Sequence, residues 1–146
     1  IIASLKCPGT FLSCSAFAPV GNPSAVSEGP ALNAFTAYPG PPEENQAAWE
    51  SYDASCLIQA YDGAPLTLLI DQGAADSRLP MLKSQRIAEA AEKNSKVSVV
   101  YRMQDGYDHD LSNFVATFGP VSGCSCVCLA CVYEYLACAK TSSCLV

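Results

Sequence analysis

The sequence predicts an α/β protein in which parallel strands alternate with helices. Apolar runs of strand length occur at 11–20, 66–70 and 97–103, and turn-forming residues bound each of them. Between the second and third runs, the stretch from Leu79 to Lys93 is rich in Ala, Glu and Lys and predicts a helix. Strands that alternate with helices along a chain indicate a parallel sheet with crossover helices.

The segments between these elements are predicted from the residues in them that end helices or form turns. Residues 1–6 have the pattern of a helix tail that ends before Pro8, and the sequence begins without Met, so we expect further chain upstream. Residues 21–46 contain five prolines and are predicted to form a long connection outside the core. Residues 47–60 are predicted to form one short helix.

Composition excludes several classes of function. The chain has 146 residues, half of them hydrophobic, which suits a globular protein with a sizeable core. The net charge is −6 and the 8 basic residues are scattered, so a nucleic-acid partner is not expected. Apolar runs fall far short of the roughly 20 residues that a membrane helix needs. Cys7, Cys14 and Cys56 look like ordinary thiols of a reducing compartment.

Two predicted loops follow neighbouring strands and carry the residues suited to chemistry. The loop at 71–79 holds Asp71 and Asp76, and the loop at 105–112 holds His109 with three further aspartates, at positions 105, 108 and 110. His109 is the only histidine of the sequence. Because reactive groups of parallel sheets lie beyond the carboxyl ends of the strands, an aspartate and His109 are expected to meet there.

An aspartate followed by a histidine fits acyl transfer. The histidine takes a proton from a nucleophile, and the carboxylate holds the other ring nitrogen in the correct tautomer. In α/β-hydrolases the order along the chain is Ser, then Asp or Glu, then His, which Asp76 and His109 obey. The residues alone leave the other interpretation open, in which the aspartates are turn or cap residues and the histidine lies on the surface.

A series of short motifs resembles the S-formylglutathione hydrolase (esterase D) family, from about residue 1 to residue 118. The matching segments, in order, are KCPGTF at 6–11, SCSAFAP at 13–19, NP at 22–23, AF at 34–35, WESYDA at 49–54, LIDQGAAD at 69–76, Arg102 with Gln104, GYDH at 106–109 and the segment 114–118. The resemblance implies that residues 1–118 are the C-terminal portion of an α/β-hydrolase domain.

The resemblance also implies roles and an activity. Asp76 corresponds to the family's catalytic acid and His109 to its base, whereas Asp71 would be structural. The family hydrolyses S-formylglutathione to glutathione and formate in formaldehyde detoxification, and it cleaves carboxylic esters without metal or other cofactors. Its members are cytoplasmic and often homodimeric. If the carboxylate and imidazole act together, their heavy atoms should lie about 2.6 to 3.2 Å apart.

The nucleophile of such a site is not in this sequence. No G-x-S-x-G elbow occurs among the 146 residues, so we expect the serine to lie upstream and the chain alone to be inactive. Two segments depart from the family: VSEG at 26–29 replaces C-P-W-G, and one extra residue follows His109.

Residues 119–146 form a tail that matches nothing in the family. Six of the nine cysteines follow residue 123. Those at positions 124, 126, 128 and 131 supply four thiolates, yet their spacing differs from the paired C-x2-C of zinc modules. Metal binding, palmitoylation and the absence of any selected function are the three interpretations of this tail. The alternative function is therefore a non-catalytic fragment whose tail binds a thiophilic metal or has no function.

Overall fold

The computed structural model of this protein describes residues 1–117, which contain a three-stranded parallel sheet. The strands are β1 (Ser13–Phe17), β2 (Leu66–Gly73) and β3 (Val97–Gln104), in the spatial order β1-β2-β3. Both strand pairs are parallel, with Phe17 opposite Asp71 and Asp71 opposite Arg102. The predicted α/β class with parallel strands is confirmed.

Seven α-helices and one short 3-10 helix surround the sheet within the described residues. They are α1 (Ile2–Lys6), the 3-10 helix (Pro23–Ala25), α2 (Gly29–Thr36), α3 (Pro42–Glu50), α4 (Ala54–Ala60), α5 (Leu79–Leu82), α6 (Gln85–Ala91) and α7 (Leu111–Thr117). None of these helices is long and apolar enough to cross a membrane.

The core lies between one face of the sheet and helices α1, α4 and α6. Alternate residues of β2 point to this face because successive side chains of a strand point to opposite sides. The main contributors are Leu66, Leu68 and Ile70 of β2 with Leu5, Ile58 and Ile87 of the three helices. Each such side chain stabilises the fold by about 1.5–3 kcal/mol when fully buried. This layer fixes the strand ends that carry the candidate site.

The predicted helix from Leu79 to Lys93 is broken in two. Lys83 has a φ of 49° in the left-handed region, which ends α5 before α6 begins. The break packs against the chain that follows β1: the Gly21 N–H donates to the Leu82 carbonyl oxygen at 2.7 Å. A side chain at Gly21 would place its Cβ 2.3 Å from the Lys83 carbonyl oxygen. Tertiary packing therefore overrides a strong local helix propensity.

The proline-rich connection at 21–46 contains more regular structure than predicted. It includes the 3-10 helix, α2 and the start of α3. Pro30 and Pro42 lie in the first turn of α2 and α3, where the missing N–H costs no intrahelical hydrogen bond. The connection lies outside the hydrophobic core cluster, as predicted, but these prolines begin helices that the sequence did not predict.

The helix predicted at 47–60 is likewise two helices. Asp53 separates them and caps α4, because its carboxylate accepts hydrogen bonds from the backbone N–H groups of Ser55 at 2.8 Å and Cys56 at 3.2 Å. Strand β2 continues past Ile70 to Gly73, since residues 71–73 pair with residues 102–104 of β3. The candidate acidic loop therefore begins three residues later than predicted.

Candidate active site

Asp71 joins the two strands that carry the site. Its carboxylate is fully buried and accepts hydrogen bonds from Arg102 Nε at 2.8 Å and Arg102 Nη2 at 2.7 Å. Gln104 Nε2 donates to the same carboxylate at 2.5 Å. Two parallel bonds to one guanidinium form a strong, directional ion pair. The salt bridge also raises the pKa of Arg102. Asp71 thus holds β2 against β3.

Gly73 lets the histidine loop lie directly on the end of β2. A Cβ at this position would lie 2.3 Å from the Tyr107 carbonyl oxygen, so a side chain does not fit here. The same oxygen accepts a hydrogen bond from the Ala75 N–H at 2.8 Å, and the Gln104 carbonyl accepts one from the Ala74 N–H at 2.9 Å. These contacts bring the loops after β2 and β3 together.

Asp76 and His109 meet where these loops touch. His109 Nδ1 lies 2.9 Å from Asp76 Oδ2, within the range expected from the sequence for a cooperating pair. The Asp76 side chain is buried, and the His109 side chain is 15% exposed. Asp76 accepts two further hydrogen bonds at 2.8 Å, from the Arg78 N–H and from Gln72 Nε2. The carboxylate is therefore held by three donors.

These donors set the protonation of the pair. Burial by itself raises the pKa of Asp76, but the hydrogen bonds from His109, the Arg78 N–H and Gln72 outweigh it and lower that pKa overall. Asp76 is then ionised at neutral pH and can only accept hydrogen bonds. His109 Nδ1 must carry a proton to donate to it, which leaves Nε2 of the neutral ring as the proton acceptor. The arrangement suits a general base.

Two side chains that the sequence did not single out extend this contact into the core. Ser84 Oγ lies 2.9 Å from Gln72 Oε1 and 2.9 Å from the Tyr101 hydroxyl. Gln72 and Ser84 are fully buried, and Tyr101 is half-buried. Gln72 stands in the matched DQG motif and could have been noticed there. No sequence signal marks Ser84 or Tyr101, because their contact depends on how α6 packs on β3.

The other aspartates of the histidine loop shape its turn. Asp108 Oδ1 accepts hydrogen bonds from the Asp110 N–H at 2.8 Å and from Asn113 Nδ2 at 2.7 Å. Asp110 Oδ1 accepts one from the Ser112 N–H at 2.9 Å, at the start of α7, and this bond lowers the pKa of Asp110. Asp105 is exposed. Among the acids considered from the sequence, the structure brings Asp76 to the histidine.

The cysteines do not form a site in the part of the chain that the structure describes. Cys7, Cys14 and Cys56 are free thiols. Within residues 1–117, no group of three His, Cys, Asp or Glu side chains is arranged to hold a metal ion. The cysteines at 124, 126, 128 and 131, on which the metal hypothesis rests, lie outside the described residues.

The fold and the site together define an α/β-hydrolase. A parallel sheet carries a carboxylate beyond one strand and a histidine beyond the next, in the chain order of that class. The sequence model of the family described as "Putative esterase" matches residues 1–120. The chain belongs to this esterase family.

Individual relatives agree with the resemblance seen in the motifs. S-formylglutathione hydrolase of Mus musculus is 46% identical over 121 residues, and that of Arabidopsis thaliana is 43% identical over 109 residues, or 81% and 74% of this chain. A solved S-formylglutathione hydrolase from Agrobacterium tumefaciens superposes with a TM-score of 0.65 at 37% identity over 80% of this chain. The chain spans about 40% of the length of the mouse enzyme and of the Agrobacterium structure. The resemblance to S-formylglutathione hydrolases is confirmed.

Proposed function

We propose that this chain supplies the acid and the base of a serine hydrolase site that cleaves S-formylglutathione and simple carboxylic esters. The observation that carries the proposal is the 2.9 Å contact between Asp76 Oδ2 and His109 Nδ1. The nucleophilic serine is proposed to lie in the part of the family domain that these 146 residues do not span. Asp76 then orients His109, and His109 serves the serine.

The reaction follows from the protonation of the pair. His109 Nε2 takes the proton of the serine hydroxyl as the serine oxygen attacks the formyl carbonyl carbon. The C–S bond then breaks, and His109 returns the proton so that glutathione leaves as the thiol. A water molecule, deprotonated by the same nitrogen, attacks the formyl-serine ester. The bond from the formyl carbon to the serine oxygen breaks, His109 returns the proton to that oxygen, and formic acid leaves and ionises to formate. Asp76 stays ionised throughout and stabilises the imidazolium.

The names of the relatives support the substrate class. Several proteins that match most of this chain are S-formylglutathione hydrolases, from mammals, a plant and bacteria. A formyl thioester is already activated toward nucleophilic attack. A base and an oxyanion site are therefore sufficient for the reaction, and no metal is needed. As in the family, we propose a role in formaldehyde detoxification, a cytoplasmic location and a homodimer of the full-length domain.

A fusion of this chain to the missing part of a relative, called the joined protein, tests the proposal. The segment of Mus musculus S-formylglutathione hydrolase that precedes its matched region is fused before Ile1, and hydrolysis of S-formylglutathione and p-nitrophenyl acetate is measured. The joined protein should turn over both substrates, and the chain alone should turn over neither. A His109→Gln variant of the joined protein should lose roughly 10⁴-fold in kcat, since the base is gone.

The control is Asp105→Asn, a substitution of an exposed acid near the same loop, which should keep kcat within about twofold because Asp105 lies outside the hydrogen-bonded pair. A joined protein with a native circular dichroism spectrum but no hydrolysis would contradict the proposal. Unchanged turnover after His109→Gln would contradict it as well.

A further inference from the structure

A line of hydrogen bonds runs from the candidate acid through two buried side chains to the middle of β3. It links Gln72 of β2, Ser84 at the start of α6 and Tyr101 of β3, and each step measures 2.8 or 2.9 Å. Gln72 and Tyr101 lie on the same face of the sheet, because Ile70, two residues before Gln72, is the partner of Tyr101. This is the face against which α6 packs.

The direction of every hydrogen bond in this line is determined. An ionised Asp76 only accepts, so the Gln72 amide must present its NH2 to it and its carbonyl oxygen to Ser84. The single hydroxyl proton of Ser84 then goes to that carbonyl. Tyr101 must therefore donate its own proton to Ser84 Oγ. No link can be reversed while the carboxylate is charged.

We propose that Gln72, Ser84 and Tyr101 are positioning residues: they form a one-directional hydrogen-bond chain that orients the carboxylate facing the histidine. This inference rests on the function proposed above. Gln72 donates to Oδ2, the same oxygen that accepts from His109 Nδ1, while the Arg78 N–H holds Oδ1. The carboxylate is thus fixed at both oxygens, and Ser84 fixes the amide that holds one of them.

The opposite orientation of the Gln72 amide shows what Ser84 and Tyr101 contribute to the line. If Gln72 turned over, its carbonyl oxygen would face the Asp76 carboxylate and its NH2 would face Ser84. Both groups are buried, so neither can turn to water for a replacement partner. Ser84 adds to the stability of the observed orientation by donating to the amide oxygen, and Tyr101 does so by donating to Ser84 Oγ. Bonds in such a line also polarise one another.

Because the sequence contains a single histidine, the strength of the contact between Asp76 and His109 can be measured in the intact chain. In the 146-residue protein labelled with ¹⁵N-histidine, NMR resolves one imidazole, and the exchange of its Nδ1–H with water reports how firmly Asp76 holds it. Gln72→Met should raise that exchange rate at least about tenfold, because it removes a charge-assisted hydrogen bond from the carboxylate. Ser84→Ala should raise it less, and Tyr101→Phe least.

Tyr61→Phe is the matched control. Tyr61 is buried and its hydroxyl donates to the Ala64 carbonyl at 2.7 Å, so the same atom and one hydrogen bond are lost away from the site. The control should leave the exchange rate unchanged. Equal exchange in Tyr101→Phe, Ser84→Ala and the wild type would overturn the inference, and these two small changes remain informative if Gln72→Met does not fold.

Turnover of the joined protein separates this inference from the proposed function. Ser84→Ala should lower kcat several-fold and leave KM unchanged, because Ser84 orients the acid and is buried away from any substrate. An active joined protein whose His109 exchange ignores all three substitutions would overturn the inference alone. A graded exchange response in a joined protein that hydrolyses nothing would overturn the proposed function alone.

Discussion

Asp71 and Asp76 are two buried carboxylates at the same end of β2, and they differ in the partners that hold them. Asp71 is bound by the guanidinium of Arg102, a cation at every accessible pH. Asp76 is bound by an amide, a backbone N–H and an imidazole, none of which carries a fixed positive charge. One carboxylate is neutralised, and the other keeps its charge directed at His109.

This difference shows that one short motif contains two carboxylates with different roles: Asp71 holds the strands together, and Asp76 is proposed to act with the histidine. The strand alternation sends Asp71 to the face where Arg102 and Gln104 point, and sends Gln72 to the opposite face. An ion pair with arginine cannot help a base, because the negative charge is already compensated. The carboxylate of Asp76, held by neutral donors, remains able to stabilise an imidazolium.

The largest expected effect on stability comes from removing the cation of Asp71. Arg102→Met leaves a fully buried carboxylate without its ion-pair partner, which should lower the free energy of unfolding by about 3 kcal/mol. This is the low end for buried pairs, because the arginine side chain is 41% exposed. Urea unfolding monitored by circular dichroism measures it.

Arg86→Met is the matched control for that change. Arg86 forms an ion pair with Glu89 on the exposed face of α6, with both side chains at least half exposed, so its loss should cost at most about 1 kcal/mol. Equal losses from the two substitutions would show that Asp71 does not depend on its arginine.

A smaller effect is expected from Gly73→Ala, which tests how the two loops are joined. The added Cβ would collide with the Tyr107 carbonyl and push away the loop that carries His109, at a cost of about 1–3 kcal/mol. The Nδ1–H of His109 should also exchange faster with water. Gly29→Ala, at a φ of 81° in open space, adds backbone strain but should not change His109. An unchanged His109 signal in Gly73→Ala would contradict the packing described.

The smallest expected effect is on the pH dependence of stability. Because folding lowers the pKa of Asp76, its ionised form stabilises the fold above the unfolded pKa of about 4, and this contribution is lost as the pH falls through the folded value. The difference in unfolding free energy between wild type and Asp76→Asn should therefore be constant above about pH 5 and shrink as the pH falls through about 4 and below. Asp53, whose pKa is also lowered, is present in both proteins and cancels. A difference that stays constant below about pH 4 would contradict this assignment.

The sequence predicted the strands well because apolar runs with turn signals report burial directly. It failed where tertiary contacts decide the backbone. Lys83 lies in a segment of high helix propensity, yet it adopts a left-handed turn where the chain at Gly21 packs closely against it. Pro30 looks like an interruption from the sequence alone, since its place in the first turn of a helix depends on where that helix begins.

The candidate site, like the fold, was predicted from the sequence only in part. Asp76 and His109 were predicted because chain order and short motifs identify them, and the strand ends then bring them together. The contributions of Ser84 and Tyr101 could not be predicted, because their hydrogen bonds join three separate elements through the side chain of Gln72. A buried polar line of this kind has no spacing rule in the sequence.

The most direct test of the account compares the two carboxylates in the joined protein. Asp71→Asn and Asp76→Asn are the same substitution five residues apart, and kcat for S-formylglutathione is measured at a temperature where both variants are folded. Asp76→Asn should lower kcat roughly 10⁴-fold by removing the acceptor that fixes the His109 tautomer. Asp71→Asn should reduce stability but keep kcat within about tenfold of wild type. A larger loss of kcat from Asp71→Asn than from Asp76→Asn would contradict the account.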